Sequence, residues 1–207
     1  VRTLDEIIGR TDLLMQVRRG NPHLDDLDLN PMLVQADPGG KNRSANRKGR
    51  NEVPDSLDAQ MIKDAASALE GGEKMQLAYS IRNTQRAIGT RLSSAITRRF
   101  GMDGLQHGHI TVRLRGSGGQ SLGAFAVQGL KLQVLGDAND YVGKGLSGGT
   151  IIIRPFTASP LVTNENVIIG NTVLYGATSG KLFASGQAGE RFAVRNSGAN
   201  AAIEGCG

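Results

Sequence analysis

Apolar residues recur at helical spacing in the first half of the chain and as short clusters in the second half. Between Leu57 and Leu69 they recur every three or four positions, which predicts a helix that ends at Gly71-Gly72. Alternation from Met75 to Ile81 predicts a strand, and a second apolar stripe from Ala87 to Phe100 predicts another helix. The first half is therefore expected to be mainly helical.

The first 54 residues carry weaker signals. Thr3 to Glu6 has the composition of a capping box, and Leu27 to Gln35 has a faint helical pattern. From Asp37 to Glu52 the chain has five basic and two acidic residues without an apolar anchor, which is typical of a solvated loop. We interpret this segment as a surface connector. The alternative is a basic nucleic-acid-binding module that uses Lys41 to Arg50.

Clusters of two or three β-type apolar residues punctuate the second half of the chain. They begin eight to ten residues apart, with one interval of 22 residues across Pro155 to Pro160, where we expect an inserted loop. Gly, Asn, Asp and Ser fill the intervals and favour tight turns. The clusters are Ala124-Phe125-Ala126, Leu132-Gln133-Val134, Tyr141-Val142, Ile151-Ile152-Ile153, Val173-Leu174-Tyr175, Leu182-Phe183-Ala184, Phe192-Ala193-Val194 and Ala202-Ile203.

Such short strands cannot form an independent hairpin sheet, and the intervals between them are too short for crossover helices. Stacked coils satisfy both limits, with two clusters in each coil of about 20 residues. An antiparallel sandwich is the structural alternative, but its strands usually have about five or six residues. The expected fold is mainly β, with a parallel β-helix over residues 105–207. A linker with short helices (1–54) and a helix-strand-helix lead-in (55–104) precede it.

Composition narrows the functional classes. The chain of 207 residues has 24 basic and 19 acidic side chains, no Trp and 4% aromatic residues, a balance that argues against nucleic-acid binding. Its single cysteine, Cys206, excludes an internal disulfide framework and a multi-cysteine metal site, and suits the cytoplasm. No apolar run approaches the length of a membrane span. Because the chain begins at Val1 without an initiator Met, we expect it to belong to a longer polypeptide.

Two glycine-rich segments resemble cofactor-binding motifs, but their context argues against that function. Gly143 to Gly148 reads G-x-G-x-x-G. A dinucleotide site needs a helix directly after these glycines, whereas the β-branched run Thr150 to Ile153 follows them here. Gly116 to Ser121 lacks the Lys-Ser/Thr ending of a phosphate-binding loop. We expect the glycines of the first motif to form corners of the β-helix.

The candidate metal ligands and nucleophiles are isolated along the chain. Asp137 to Asp140 departs from EF-hand spacing, and its side chains are expected to cap turns. His107 and His109 could lie on one side of a strand, but no third ligand is near them. Cys206 has no neighbouring base. The sequence therefore predicts no catalytic, cofactor-binding or metal-binding residue in this chain.

Several long segments resemble the C-terminal domain of the glutamate synthase large subunit. The resemblance covers nearly the whole chain, and Leu4 to Leu14 is similar to the segment that leaves the preceding synthase domain. The other matching segments are Asn83–Leu92, Gly116–Phe125, Gly136–Gly149, Asn166–Gly180 and Gly189–Ala199.

The resemblance implies a right-handed parallel β-helix without catalytic residues. In that family, an amidotransferase domain hydrolyses glutamine, and the ammonia passes through a tunnel to a flavin-bearing synthase domain. There, reaction with 2-oxoglutarate and reduction give two glutamates. The β-helix packs between these domains and helps to fix their separation. FMN, an iron–sulfur cluster and an NAD(P)H- or ferredoxin-linked electron donor are expected for the parent enzyme, a cytoplasmic oligomer of nitrogen assimilation.

Members of that family normally continue with further coils beyond the position of Gly207, so we expect the β-helix to be incomplete at its C-terminal end. Relatives of this domain also occur as separate small subunits and in formylmethanofuran dehydrogenase. The alternative function is therefore a free-standing β-helix scaffold subunit of another oxidoreductase complex.

Overall fold

The computed structural model describes residues 1–37, 39–40, 49, 52 and 54–207, which belong to two compact units, 1–53 and 54–207. The described part of the first unit has one short helix, α1 (Pro22–Asp25), and 3-10 turns at Leu4–Glu6, Thr11–Leu13 and Asn30–Met32. No residue in any of these elements is buried. The described part of this unit consists mainly of loops and single helical turns.

Two predictions for the first unit were only partly right. Thr3 does not cap the backbone; its hydroxyl instead donates to the Glu6 carboxylate at 3.4 Å. The helix predicted from Leu27 to Gln35 is a single 3-10 turn, because its apolar residues have no buried surface to pack against. The basic segment Lys41 to Arg50 lies outside the described residues, except for Gly49.

The second unit is a mostly parallel β structure with three helices in its described residues. Every pairing between its strands is parallel. The elements are α2 (Leu57–Asp64), α3 (Ala66–Gly71), β1 (Met75–Ile81), α4 (Thr90–Phe100), β2 (Ile110–Gly118), β3 (Leu130–Ala138), β4 (Ser147–Arg154), β5 (Val167–Ile169), β6 (Ser179–Ala184), β7 (Gln187–Ala188), β8 (Asn200–Ala202) and β9 (Gly205–Cys206), with 3-10 turns at Gly101–Asp103 and Thr163–Glu165.

Strand register repeats at intervals close to twenty residues. Ile110 of β2 pairs with Leu130 of β3, twenty positions later, and Lys131 pairs with Thr150 of β4, nineteen positions later. Beyond β3 the sheet divides, because β3 pairs with β4 along its first part and with β5 only at Ala138. One branch continues through β6 and β8, and the other through β7 and β9.

The longer intervals come from insertions. Leu135 pairs with Arg154 and Ala138 with Ile169, so the two residues between Leu135 and Ala138 correspond to the fourteen residues between Arg154 and Ile169. This insertion contains the loop that the sequence predicted around Pro155 to Pro160. In β3 the same place is a bend at Gly136, where φ is 143°. The chain therefore accepts extra residues where the strand bends.

The apolar face of each strand points into one continuous core. Val112, Leu132, Ile151 and Leu182 occupy equivalent register positions on successive strands, and all are fully buried. Stacking like residues in line lets each strand bury the same face against the same neighbours.

Helices α2, α3 and α4 extend this core next to β1. Met61, Leu92 and Ile96 are fully buried within it. The Tyr79 hydroxyl of β1 donates to the Asp64 carboxylate of α2 at 2.6 Å. A side-chain hydrogen bond therefore joins this end of the strand stack to the helices.

A buried carboxylate joins the helices to each other. Asp58 of α2 is 2% exposed, and its oxygens accept the backbone N–H groups of Gly89 at 2.9 Å and of Leu92 at 3.1 Å. These donors lie at the N-terminus of α4, where the first turn of a helix has no internal acceptors. Burial raises the pKa of Asp58, and the backbone hydrogen bonds oppose this increase.

The helical predictions for the second unit were nearly right. Strand β1 has the predicted bounds, whereas the helix predicted from Leu57 to Leu69 breaks at Ala65 into α2 and α3. The helix predicted from Ala87 begins at Thr90, because Ala87 and Gly89 have positive φ.

Half of the predicted β clusters are strands. Those beginning at Leu132, Ile151, Leu182 and Ala202 lie in or at the ends of β3, β4, β6 and β8. The prediction was wrong for the clusters beginning at Ala124, Tyr141, Val173 and Phe192, which lie in turns.

Replacing Asp58 tests the link between α2 and α4. Asp58→Ala leaves two buried N–H groups without an acceptor and should lower the free energy of unfolding by about 1–3 kcal/mol. Asp55→Ala, at an exposed neighbouring position, is the matched control and should change it little. Chemical denaturation measures both; equal effects would contradict the capping role.

The pH dependence of stability gives a second test. Because the pKa of Asp58 is raised in the folded state, its contribution is fully present below its unfolded pKa and is lost as pH rises through the folded value. The wild-type protein should therefore lose stability relative to Asp58→Asn as pH rises above about 4. Denaturation midpoints of both proteins across pH 3–7 measure this; parallel profiles would contradict it.

Candidate functional site

Four five-residue segments of the second unit share one unusual backbone conformation. Residues 121–125, 141–145, 172–176 and 191–195 have φ between 56° and 67° at their first, third and fifth positions. We call these segments corners, because each turns the chain between two strands. Ala87 and Gly89 provide the first two such positions of an earlier corner.

The corners contain all the non-glycine residues with positive φ in the described part of the chain. They occur at nine positions, and this conformation costs an L-residue about 1–2 kcal/mol. The last corner has no glycine at its three strained positions. The nine residues are Ala87, Ser121, Phe125, Tyr141, Thr172, Leu174, Arg191, Ala193 and Arg195.

Backbone hydrogen bonds between successive corners offset this strain. The N–H at the first position donates to the carbonyl oxygen of the residue just before the next corner. Tyr141 donates in this way to the Asn171 carbonyl at 2.9 Å. The N–H at the third position donates to the preceding corner, as Gly143 does to the Leu122 carbonyl at 2.9 Å. Each corner thus holds its neighbours on both sides, and its buried amides have partners.

Side chains reinforce the stack from both sides. At the second corner position, Leu122, Val142 and Val173 are buried in a column. Two further hydrogen bonds connect the residues just before the corners. The Asp140 carboxylate accepts the backbone N–H of Asn171 at 2.7 Å, and the side-chain carbonyl oxygen of Asn171 accepts the backbone N–H of Glu190 at 2.8 Å. The turn-capping role predicted for Asp137 to Asp140 is therefore confirmed for Asp140.

The G-x-G-x-x-G segment lies in this framework. Gly143 and Gly145 are the third and fifth positions of a corner, and Gly148 lies in β4. A Cβ on Gly148 would be 3.0 Å from the Cβ and the backbone nitrogen of Gln128. These glycines serve backbone geometry and close packing, and no helix follows them. The prediction that the segment binds no cofactor stays a prediction.

The second glycine-rich segment also serves close backbone approach. A Cβ on Gly119 would lie against the carbonyl oxygens of Asn83 and Gln85. The Gly119 N–H donates to the Gln85 carbonyl at 3.1 Å. Only a glycine leaves room for this contact.

The histidines and the cysteine do not form a site together. His109 is 7% exposed, and neither ring nitrogen has a hydrogen-bond partner among the described residues, whereas His107 is exposed. The two histidines do not share one side of a strand, because both precede β2 and their environments differ. Cys206 is exposed. The described residues contain no group of three metal-ligating side chains.

The outward face of the sheet is basic. Strands β2, β3, β4 and β6 carry five basic residues but one carboxylate, Asp137, which accepts a hydrogen bond from Ser117. Apolar side chains lie among the basic ones in the strand register. We call this surface the basic–apolar face; its residues are Arg113, Arg115, Lys131, Leu135, Ile152, Arg154, Lys181 and Phe183.

A cleft of about 430 Å³ lies within the basic–apolar face. Arg113 and Arg154 line it on either side of the β3 side chains, with Leu135 and Ile152 between them. Arg115 lies over the Phe156 ring, 5.1 Å from its centroid. Sequence reasoning missed this surface, although the alternation of buried and basic residues from Val112 to Arg115 was a signal for it.

Comparison with known proteins gives consistent matches. The family model described as GXGXG motif matches residues 58–207. The chain is 74% identical over its whole length to the glutamate synthase [NADPH] large chain of Azospirillum brasilense. It is 47% identical to glutamate synthase [NADH] of Schizosaccharomyces pombe and 44% identical to ferredoxin-dependent glutamate synthase 2 of Synechocystis, again over its whole length.

The chain is much shorter than these relatives. It spans 14% of the Azospirillum protein, 10% of the Schizosaccharomyces protein and 13% of the Synechocystis protein. No helix in the described parts of the chain combines the length and apolar character needed to cross a membrane.

A pair of glycine substitutions tests whether glycines of the second unit are needed where two backbone segments approach closely. At Gly136 an added Cβ would collide with the carbonyl oxygen of Gly116, which is fixed by strand pairing, whereas at Gly176 it would meet nothing within 4 Å. Gly176→Ala should cost about 1 kcal/mol of unfolding free energy from positive φ alone. Gly136→Ala should cost more than about 3 kcal/mol. Thermal and chemical denaturation measure both; equal costs would contradict the close-approach argument.

Proposed function

Because the chain belongs to the GXGXG motif family, we propose that it is a structural domain of a glutamate synthase and lacks catalytic residues of its own. The observation that carries this proposal is 74% identity to a glutamate synthase large chain over the full length of the chain. Identity of 44–47% to synthases named for NADH and ferredoxin supports the same assignment across different electron donors.

We propose that the second unit is a right-handed parallel β-helix. The parallel pairing, the register of nineteen or twenty residues and the corners at equivalent positions all support stacked coils. Right-handed connections are the strong preference for parallel strands. The first coils would have one bent strand and a corner, whereas each later coil would have two strands, such as β4 and β5, and a corner.

The reaction proposed for the parent enzyme is glutamine-dependent formation of two glutamates from glutamine and 2-oxoglutarate. We infer that this domain spaces the amidotransferase and FMN-bearing synthase domains of the same polypeptide and so supports passage of ammonia between them. A stack held by backbone hydrogen bonds and in-line apolar columns suits a rigid spacer.

The cofactors of such an enzyme do not fit this chain. An iron–sulfur cluster needs several cysteine thiolates, and the chain has one cysteine. A flavin phosphate held as in dinucleotide-binding folds needs a helix N-terminus after the glycines, and β4 follows Gly143 and Gly145. The FMN and the cluster would therefore be bound by other parts of the polypeptide.

The proposed partners follow from this assignment. They are the other domains of the polypeptide and an NAD(P)H- or ferredoxin-linked electron donor, in an oligomeric cytoplasmic enzyme. A free-standing scaffold subunit of formylmethanofuran dehydrogenase is not favoured, because the relatives described above are glutamate synthases.

The natural full-length protein tests the function. Once purified, it should be a yellow flavoprotein that forms glutamate from 2-oxoglutarate only when glutamine and a reductant are present. A colourless protein without this activity would contradict the assignment.

Three substitutions in the full-length protein test the proposal that this domain has no catalytic residue. Lys144→Ala, His107→Ala and Cys206→Ser change accessible candidate groups and should leave the specific activity unchanged. A variant that loses activity while it keeps the wild-type unfolding temperature would show that its residue takes part in the reaction.

A further inference from the structure

We propose that the basic–apolar face docks an acidic protein surface, one that presents carboxylates with apolar side chains between them. This inference rests on the proposed function, in which the chain is one domain of a larger enzyme, and it identifies the face that meets a neighbour. The surface is built on four adjacent parallel strands, β2, β3, β4 and β6, so its side chains have fixed spacing.

The first support is unneutralised charge. The described residues provide no ion pair or side-chain hydrogen bond to any of the five basic side chains of the face. Arg113 and Arg154 line one cleft, and β2 also presents Arg115. Like charges on one rigid surface repel each other, and opposed carboxylates on a partner would remove that repulsion.

The second support is the chemistry between the charges. Ile152 lies between Gln133 and Phe183 in the strand register, and Phe183 is 42% exposed. Arginine and aromatic side chains flanking apolar residues are enriched at protein interfaces. The planar guanidinium also matches a carboxylate through two parallel hydrogen bonds.

The third support is accessibility. The outward face of this sheet is uncovered within the second unit, and Arg113, Arg115 and Arg154 are exposed there. A nucleic acid would also be attracted by the charge. Single strands, however, are bound by several stacking aromatic residues, and this face has one, Phe183, among aliphatic residues such as Leu135 and Ile152. A carboxylate-bearing protein surface fits both the charges and the apolar residues.

Site-specific crosslinking in the natural full-length protein tests the proposal. A photoreactive amino acid at Gln133, in the centre of the face, should crosslink to a peptide that carries Asp or Glu. The double variant Arg113→Glu/Arg154→Glu should reduce the yield about tenfold or more. Arg98→Glu/Arg99→Glu makes the same change in net charge on exposed positions of α4 and should leave the yield unchanged.

Charge exchange completes the test. Replacing the crosslinked carboxylates by Arg should restore the yield in Arg113→Glu/Arg154→Glu, whose unfolding temperature should match the wild type because both side chains are exposed. The proposal is overturned if Gln133 crosslinks to nucleic acid, to the same face of a second copy or to nothing. A crosslink that is insensitive to charge reversal also overturns it.

The two proposals fail separately. A protein that shows the charge-sensitive crosslink but forms no glutamate would refute the enzyme assignment alone. A protein that forms glutamate without the crosslink would refute the docking surface alone.

Discussion

The second unit depends on hydrogen bonds between successive corners. A corner with positive φ at three alternate positions is unfavourable for an isolated chain, and most of the strained positions are not glycine. Amides that point to the preceding and following repeats make the conformation favourable once neighbours are present. Corner formation and stacking are therefore one event, and the strand register follows from it.

The need for these hydrogen bonds also explains where the repeats differ in length. The corners keep five residues because each amide must reach a partner above or below. The bends have no such requirement, so the strand that passes through Gly136 in one repeat is interrupted by fourteen residues in the next. The first repeat holds α4 between its corner and β2, where the helix adds its apolar face to the core. Regular corners and variable connections together leave the outward strand side chains free for recognition.

The sequence predicted the parallel β class, the length of the repeat, the insertion after β4 and the bounds of β1. These depend on local pattern and spacing. It mistook clusters such as Val173-Leu174-Tyr175 for strands, because a corner also carries buried apolar residues. Leu174 at φ 57° has no local sequence signal, since the partners that stabilise it are about twenty or thirty residues away. The alternation from Val112 to Arg115 marks only one strand of the basic–apolar face, and Arg113 and Arg154 are brought to the same cleft only by the strand register.

The stacked register has a consequence for length. Adjacent strands in a sheet are about 4.8 Å apart, so each repeat of some twenty residues adds one fixed increment along the stack. The path from β1 through β2, β3, β4 and β6 to β8 has five such steps, or about 24 Å. A residue added at a bend enlarges one repeat but adds no strand to the stack. Only a whole additional repeat makes the stack longer. Small insertions and deletions at a bend therefore leave the distance between paired strands unaltered.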